Sequence, residues 1–429
     1  MRNFNKRDEI SRRRFISNSA KACLGVSLLP CLQNNSLIAA VSESGKQPKA
    51  RNVIHLYMAG GMSHIDTFDP KPGTEAQGPV ETIKTNADGI LIGEYLPLMS
   101  KHMDKVAIIR SLNSSQGAHA QGAYFMKTGY IKRGTITHPG MGSWLNKLSG
   151  RTNSSIPGNI RINGGNNAPG GAGFFEEKFG PLTIGNPSEG LANSKRNKNI
   201  PVKQFETRLN LSEWIDTSFH KEYKYKEVRA YSDAYTEALT LMKSEDLNAF
   251  DITKEPKEIK AAYGPSKLGQ GCLLARRLIE HDVRYVEVNY GGWDTHNDNF
   301  NRIEVQCEAL DTALSTLLLD LERRGMLDET LVVVSTEFGR SPEISSDLGR
   351  NHHPKVFSCL LAGGGVQGGQ VYGASDEIGN EVAENSVSVN DFNATIGYAL
   401  GLPLEEIVYS PSGRPFTVGN KGKPVTAIF

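Results

Sequence analysis

Five side chains in the second half of this sequence are of the types that hold a divalent ion. Asp294 and His296 stand two apart in Gly291-Gly292-Trp293-Asp294-Thr295-His296, Glu337 lies in Thr336-Glu337-Phe338-Gly339-Arg340, and His352-His353 follow Gly349-Arg350-Asn351. Carboxylates supply charge and imidazoles supply directed nitrogen, a combination suited to hard or borderline cations. Residues two apart in an extended turn point to the same side, so Asp294 and His296 can face one ion. Such an ion lowers the pKa of a bound water or neutralises a phosphate or sulfate oxygen. Arg340, together with Arg350, is the side-chain type that grips that anion bidentately. His64, Asp66 and His119 are further candidates to complete the site. Each residue also has a plainer role open to it: Asp294 as a turn cap, Glu337 as the ion-pair partner of Arg340, the His-His-Pro turn as exposed surface. Convergence of the whole set on one edge would mark a functional site.

The elements that must position these groups are legible from pattern. Val53-Ile54-His55-Leu56-Tyr57-Met58 reads as a buried strand running into Ala59-Gly60-Gly61, with His64 and Asp66 in the loop behind it. Val106-Ala107-Ile108-Ile109 is a second strand, and His119 to Lys127 a helix. Later come a helix from Ser266 to His281, a strand from Val283 to Val288, a long amphipathic helix from Ile303 to Gly325 and the strand Thr330 to Ser335. A strand from Val356 to Leu361 and a helix from Asp391 to Leu400 complete the series. Apolar strands alternating with helices predict an α/β fold with a mainly parallel central sheet and helices on both faces, whose ligands gather outside the carboxyl ends of the strands. Residues 151–199, rich in Gly, Asn, Ser and Pro, read as an irregular insertion over the core. His55 alternates with core residues and is expected to be a buried structural histidine, whereas His102, His220 and His281 are expected at the surface.

The 429 residues, 38% of them hydrophobic, are enough for a sizeable core. With 48 basic and 47 acidic residues there is no global field to attract nucleic acid or an acidic membrane, so no nucleic-acid partner is expected. Cys23, Cys31, Cys272, Cys307 and Cys359 show no C-x-x-C spacing, and the last three are expected to act as small buried hydrophobes. Ser11-Arg12-Arg13-Arg14-Phe15-Ile16, a modestly apolar stretch from Ala20 to Leu32 and small residues near Ala40 resemble a twin-arginine export signal. Pro30 ahead of Cys31 is a poor fit to lipidation. The expected layout is a signal over 1–40, a linker over 41–50 and one domain over 51–429, in the periplasm or outside the cell. No run of about 18 apolar residues follows the leader, so no transmembrane segment is expected in the mature chain.

The series from Gly60-Gly61-Met62-Ser63-His64-Ile65-Asp66-Thr67-Phe68-Asp69-Pro70 through the three motifs above resembles the domain-of-unknown-function 1501 family, and the likeness covers the mature chain. That family is placed in the alkaline phosphatase and sulfatase superfamily. The resemblance implies an alkaline-phosphatase-like sandwich and a two-metal hydrolytic ancestry. It likens Asp294 and His296 to an Asp-x-His-like metal segment and His353 to a later metal histidine. The sequence departs from the superfamily in three places: Glu337-Phe338-Gly339 stands where relatives have Asp-His-Gly, Gly60-Gly61 where they have an aspartate, and His119 roughly where they have a Ser, Thr or Cys nucleophile.

The expected function is therefore that of an exported metal-dependent hydrolase acting on a sulfate or phosphate ester, small or carbohydrate-borne, by metal-activated water. Its cofactor is a divalent ion: Zn, Ca, Mg or Mn. Asp294, His296 and His353, with His352, His64 and Asp66, are the candidate metal ligands. Glu337 is expected as ligand or general base, His119 as a further catalytic group and Arg340 as the residue that orients the anion. The alternative is a non-catalytic member that binds a glycan or a protein partner on the same face.

Overall fold

Strand β1, Asn52–Met58, shows how the sequence divides its core: every residue from Val53 to Met58 is buried, yet successive side chains enter opposite faces. Ile54, Leu56 and Met58 join one apolar cluster, and Val53 and Tyr57 the other. The computed structural model describes residues 50–165, 168–191, 194, 199–211 and 236–429. The leader, Cys23, Cys31 and His220 lie outside the described residues.

The further elements are β2 (Val106–Asn113), α1 (His119–Thr128), α2 (Met141–Ser149), β3 (Asn159–Ile162), β4 (Leu182–Ile184), α3 (Lys267–Glu280) and β5 (Tyr285–Tyr290). They continue with α4 (Asn299–Arg323), β6 (Thr330–Ser335), β7 (Gly339–Arg340), β8 (His352–His353), β9 (Phe357–Ala362), β10 (Gln370–Tyr372), β11 (Val387–Ser388) and α5 (Val389–Ala399). Nine of these strands form one sheet in the order β10-β2-β9-β6-β1-β5-β3-β4, with β11 also on β2. Among the described residues only β9 runs against the others: it is antiparallel to both β2 and β6. Helices α3 and α4 bury Leu274, Leu278, Leu314 and Leu317 on one face, and α1, α2 and α5 bury Phe125, Trp144 and Phe392 on the other. The fold is thus α/β, with a mainly parallel sheet and helices on both faces. Each fully buried large aliphatic or aromatic side chain contributes roughly 1.5–3 kcal/mol. Ser266 caps α3 by accepting from Gly269 N, and Ser388 with Asp391 forms a capping box on α5.

Register sets the site. Met58 pairs with Tyr290 and Tyr57 with Ser335, so β1, β5 and β6 end at one edge and release the loops bearing His64, Asp294 and Glu337 together. The antiparallel β9 begins at that edge, where Phe357 pairs with Leu112 near the end of β2. His352 therefore precedes its sheet strand, whereas Asp294, Glu337 and His119 follow theirs.

Two expectations change. The segment 151–199 is not all irregular: β3 and β4 extend the sheet, but each is so short and so flanked by Gly, Asn and Pro that no periodicity betrays it. The strand expected over Val283 to Val288 is instead Tyr285–Tyr290, which brings the strand end up to Gly291. His55 is buried between Tyr285 Oη, at 2.8 Å, and Ser335 Oγ, at 2.7 Å. Cys272, Cys307 and Cys359 are buried free thiols. Among the described residues no helix is long and apolar enough to cross a membrane.

Candidate metal centre

Three imidazoles and one carboxylate meet at the sheet edge. His119 opens α1, and Gly122, one turn along on the same face, has only hydrogen for a side chain because a Cβ there would stand 3.1 Å from Glu337 Cβ and 3.2 Å from the Phe338 ring. That close approach lets His119 Nδ1 reach Glu337 Oε1 at 2.7 Å. A carboxylate only accepts, so Nδ1 carries a proton, and in the neutral ring Nε2 keeps its lone pair. His352 is fixed alike: its Nδ1 donates to Gly117 O at 2.8 Å, freeing Nε2. His296 Nε2 stands 3.0 Å from His352 Nε2, and its Nδ1 stands 3.2 Å from Asn351 Oδ1.

All three Nε2 atoms surround the carboxylate of Asp294: His119 at 3.3 Å, His296 at 3.2 Å and His352 at 3.4 Å. The His119 contact is not aligned as a hydrogen bond, and its Nε2 is a buried nitrogen without a hydrogen-bond partner. His119, Asp294 and His352 each offer one ligand atom within 4.8 Å of the others. The two contacts reach different oxygens of the carboxylate, His119 Nε2 standing 3.3 Å from Oδ2 and His352 Nε2 3.4 Å from Oδ1. An orphaned imidazole nitrogen, fixed tautomers and a mixed nitrogen and oxygen donor set fit a borderline divalent ion such as zinc. Calcium and magnesium prefer all-oxygen shells, which this donor set does not supply.

Electrostatics follow from the surroundings. Burial disfavours the Asp294 charge, but the hydrogen bond and charge of Arg340, with His119 and His296, outweigh it and hold the carboxyl at about 2. The hydrogen bond from Glu337 raises the pKa of His119 despite partial burial, while burial chiefly lowers that of His352. Glu337 is buried, yet donors from His119, its own backbone and Gly60 keep its pKa low. Phe338 forms the floor, its ring centroid 4.5 Å from that of His352 and 5.0 Å from that of His119.

The edge thus brings together Asp294, His296, His352, His119, Glu337 and Arg340, and it leaves other expected ligands elsewhere. His353, the strand neighbour of His352, faces the opposite way: its Nε2 donates to Asn380 O at 2.6 Å and its ring stacks on His64. His64 donates from Nε2 to Gly379 O at 2.8 Å. Asp66 is wholly buried against Arg350, which donates to it at 2.9 and 3.0 Å, so both serve the fold rather than an ion or a bound anion. The roles expected of Glu337 and Arg340 also change. Glu337 Oε1 accepts from Gly60 N and His119, and Oε2 accepts from Tyr57 Oη, so both oxygens are engaged by protein donors. Arg340 is entirely buried, and no N–H of its guanidinium faces solvent to orient a substrate anion. Tyr57, Gly117 and Asn351 are partners that sequence reading missed. A tyrosine at the carboxyl end of a buried strand and an asparagine beside His352 were the only signals for them.

A family model described as "Protein of unknown function (DUF1501)" matches residues 50–429. No curated protein matches the sequence. Among solved structures, similarity is found to a sulfatase from Pseudoalteromonas sp., at 12% identity and TM-score 0.40 over 88% of this chain and 73% of that one. A phosphonate monoester hydrolase from Silicibacter pomeroyi is similar at 11% identity and TM-score 0.38, covering 87% and 76%. An alkaline phosphatase from the Antarctic bacterium TAB5 is similar at 13% identity and TM-score 0.33, covering 76% and 95%. Scores this low say nothing about chemistry, which rests on the side chains above.

Proposed function

Because the chain belongs to the DUF1501 family of proteins of unknown function, we propose its activity from its own residues: it is a metal-dependent hydrolase of phosphate or sulfate esters. The observation that carries this is the convergence of the His119, His296 and His352 Nε2 atoms on the solvent-facing carboxylate of Asp294. Three protein ligands with an open position form the pattern of a catalytic rather than a structural zinc site. His119, Asp294 and His352 are the three ligands. A divalent ion held there supplies Lewis-acid polarisation of the ester and lowers the pKa of water.

The chain's own residues do the rest. Glu337 holds the His119 proton on Nδ1, keeping Nε2 available, and Gly117 does the same for His352. Arg340 fixes Asp294 through a 2.5 Å hydrogen bond to Oδ1. His296, whose side chain is 45% exposed, stands at the open side and carries protons between the site and solvent. Phe338 excludes water from below. The Ser11-Arg12-Arg13-Arg14-Phe15-Ile16 leader supports export by the twin-arginine route, with action in the periplasm or beyond.

The test is metal analysis of the protein matured in its own host, followed by assays on p-nitrophenyl sulfate, p-nitrophenyl phosphate, bis-p-nitrophenyl phosphate and a phosphonate monoester. Stoichiometric zinc, manganese or iron with chelator-sensitive turnover is the expected result. Protein that lacks metal and stays inert on every ester from pH 5 to 10 would overturn it in favour of a non-catalytic glycan- or protein-binding role.

A further inference from the structure

Arg340 lies at the end of the short strand β7, paired with His352 across β8, and its guanidinium is wrapped in oxygen. Nε donates to Gly61 O at 2.9 Å, Nη1 to Arg350 O at 3.0 Å, and Nη2 to both Gly60 O and Asp294 Oδ1. Three carbonyls and a carboxylate ring the guanidinium, all of them oxygens of the kind that hard cations attract. Here they surround the chain's own cation.

We infer that Arg340 is a resident second cation: its guanidinium fills the oxygen cradle beside the histidine cluster, so the centre holds one metal ion, not two. This rests on the proposed metal-dependent function. It departs from the two-metal site that the superfamily resemblance implies. Sterics and oxygen accounting both support it. A Cβ on Gly60 would stand 2.5 Å from Asp294 N, and one on Gly61 2.8 Å from the Phe338 ring and 3.2 Å from Arg340 Nε, so the end of β1 has no room for another ligand side chain. Both residues also have positive φ, 118° and 79°, where side chains are strained. Of the four carboxylate oxygens at the site, the two of Glu337 are taken by protein donors and Asp294 Oδ1 is shared with Arg340. Only Asp294 Oδ2 remains, facing His119. One free oxygen and the imidazoles serve one ion. A second ion would stand beside a buried guanidinium with no anionic ligand of its own.

Two measurements on the full-length mature protein test this. The first counts metal after reconstitution with zinc and gel filtration, with the Asp294→Asn protein as the blank. One zinc per chain, lost in the blank, is expected. Two per chain, both lost in the blank, would overturn the inference. The second uses Arg340→Ala, which empties the cradle while keeping its oxygens. Its melting temperature should rise by several degrees with millimolar Mn2+, Ca2+ or guanidinium, and the wild type should show no such rise with Ca2+ or guanidinium. A folded variant indifferent to all three cations would equally overturn it. If Arg340→Ala does not fold, the wild-type metal count still decides. If the wild type binds no metal, the proposed function fails, and the cradle is then judged on the response of the variant alone.

Discussion

Glu337 and His119 meet at 2.7 Å, carboxylate to Nδ1, across 218 residues of sequence. The contact fixes which nitrogen of His119 is free. It also makes Glu337 a positioning residue for the His119 nitrogen that faces Asp294. Outer partners of metal histidines typically tune affinity by 10–100-fold. Glu337→Gln is therefore expected to weaken zinc binding by about that factor, measured by competition with a chromogenic chelator, while the far-UV spectrum stays native. Unchanged affinity would remove Glu337 from this role.

Ligands and proton carrier should separate on mutation. Ala at His119, Asp294 or His352 is expected to abolish both metal content and turnover. His296→Ala should retain metal yet lose roughly 10²–10⁴-fold in kcat, the usual contribution of a general acid or base. If His296→Ala loses its metal, His296 is a fourth ligand and not a proton carrier.

The Asp66–Arg350 pair predicts a different phenotype. Both side chains are fully buried, and breaking such a pair from one side costs about 3–5 kcal/mol because the remaining charge is stranded. Asp66→Ala should lower the melting temperature sharply in calorimetry, but the folded fraction should keep its full metal content. Metal lost without loss of stability would return Asp66 to the ligand set.

Acid lability has a defined window. Burial, above all, lowers the pKa of both His55 and His64 from 6.5 to about 4. Above pH 6.5 both are neutral whether folded or unfolded, and stability is at its plateau. As pH falls from 6.5 towards 4 the unfolded chain takes up protons that the folded one refuses, so stability drops by about 1.4 kcal/mol per pH unit for each histidine. Below about 4 this contribution levels off. Urea unfolding at several pH values should show the slope, and His55→Asn should flatten it; an unaltered slope in that variant would exclude His55 as a contributor.

Hydrophobic pattern made the fold readable. Long apolar strands such as Thr330–Ser335 and long amphipathic helices such as Asn299–Arg323 carry enough periodicity to be seen locally. Strands of three or four residues, Asn159–Ile162 and Leu182–Ile184, do not, because their extended form comes from pairing with neighbours distant in sequence. The same division holds within the site. His352 and His353 are indistinguishable as letters, yet a two-residue strand turns one to Asp294 and the other to Asn380. Asp66, Glu337 and Arg340 have the side chains of ligand, base and anion clamp, and burial with saturated hydrogen bonds removes each from that use.

By itself the sequence determined the α/β class and the sheet edge on which polar groups collect, and it named Asp294 and the His352-His353 pair as candidates there. Local chemistry and periodicity suffice for these, since a strand end and a glycine-rich turn are short-range features. The tertiary structure alone decided that His119, His296 and His352 turn Nε2 towards Asp294, that Glu337 holds His119 from behind, and that Arg340 is buried among the oxygens beside it. Those assignments depend on which hydrogen bonds each side chain has already made with residues far along the chain.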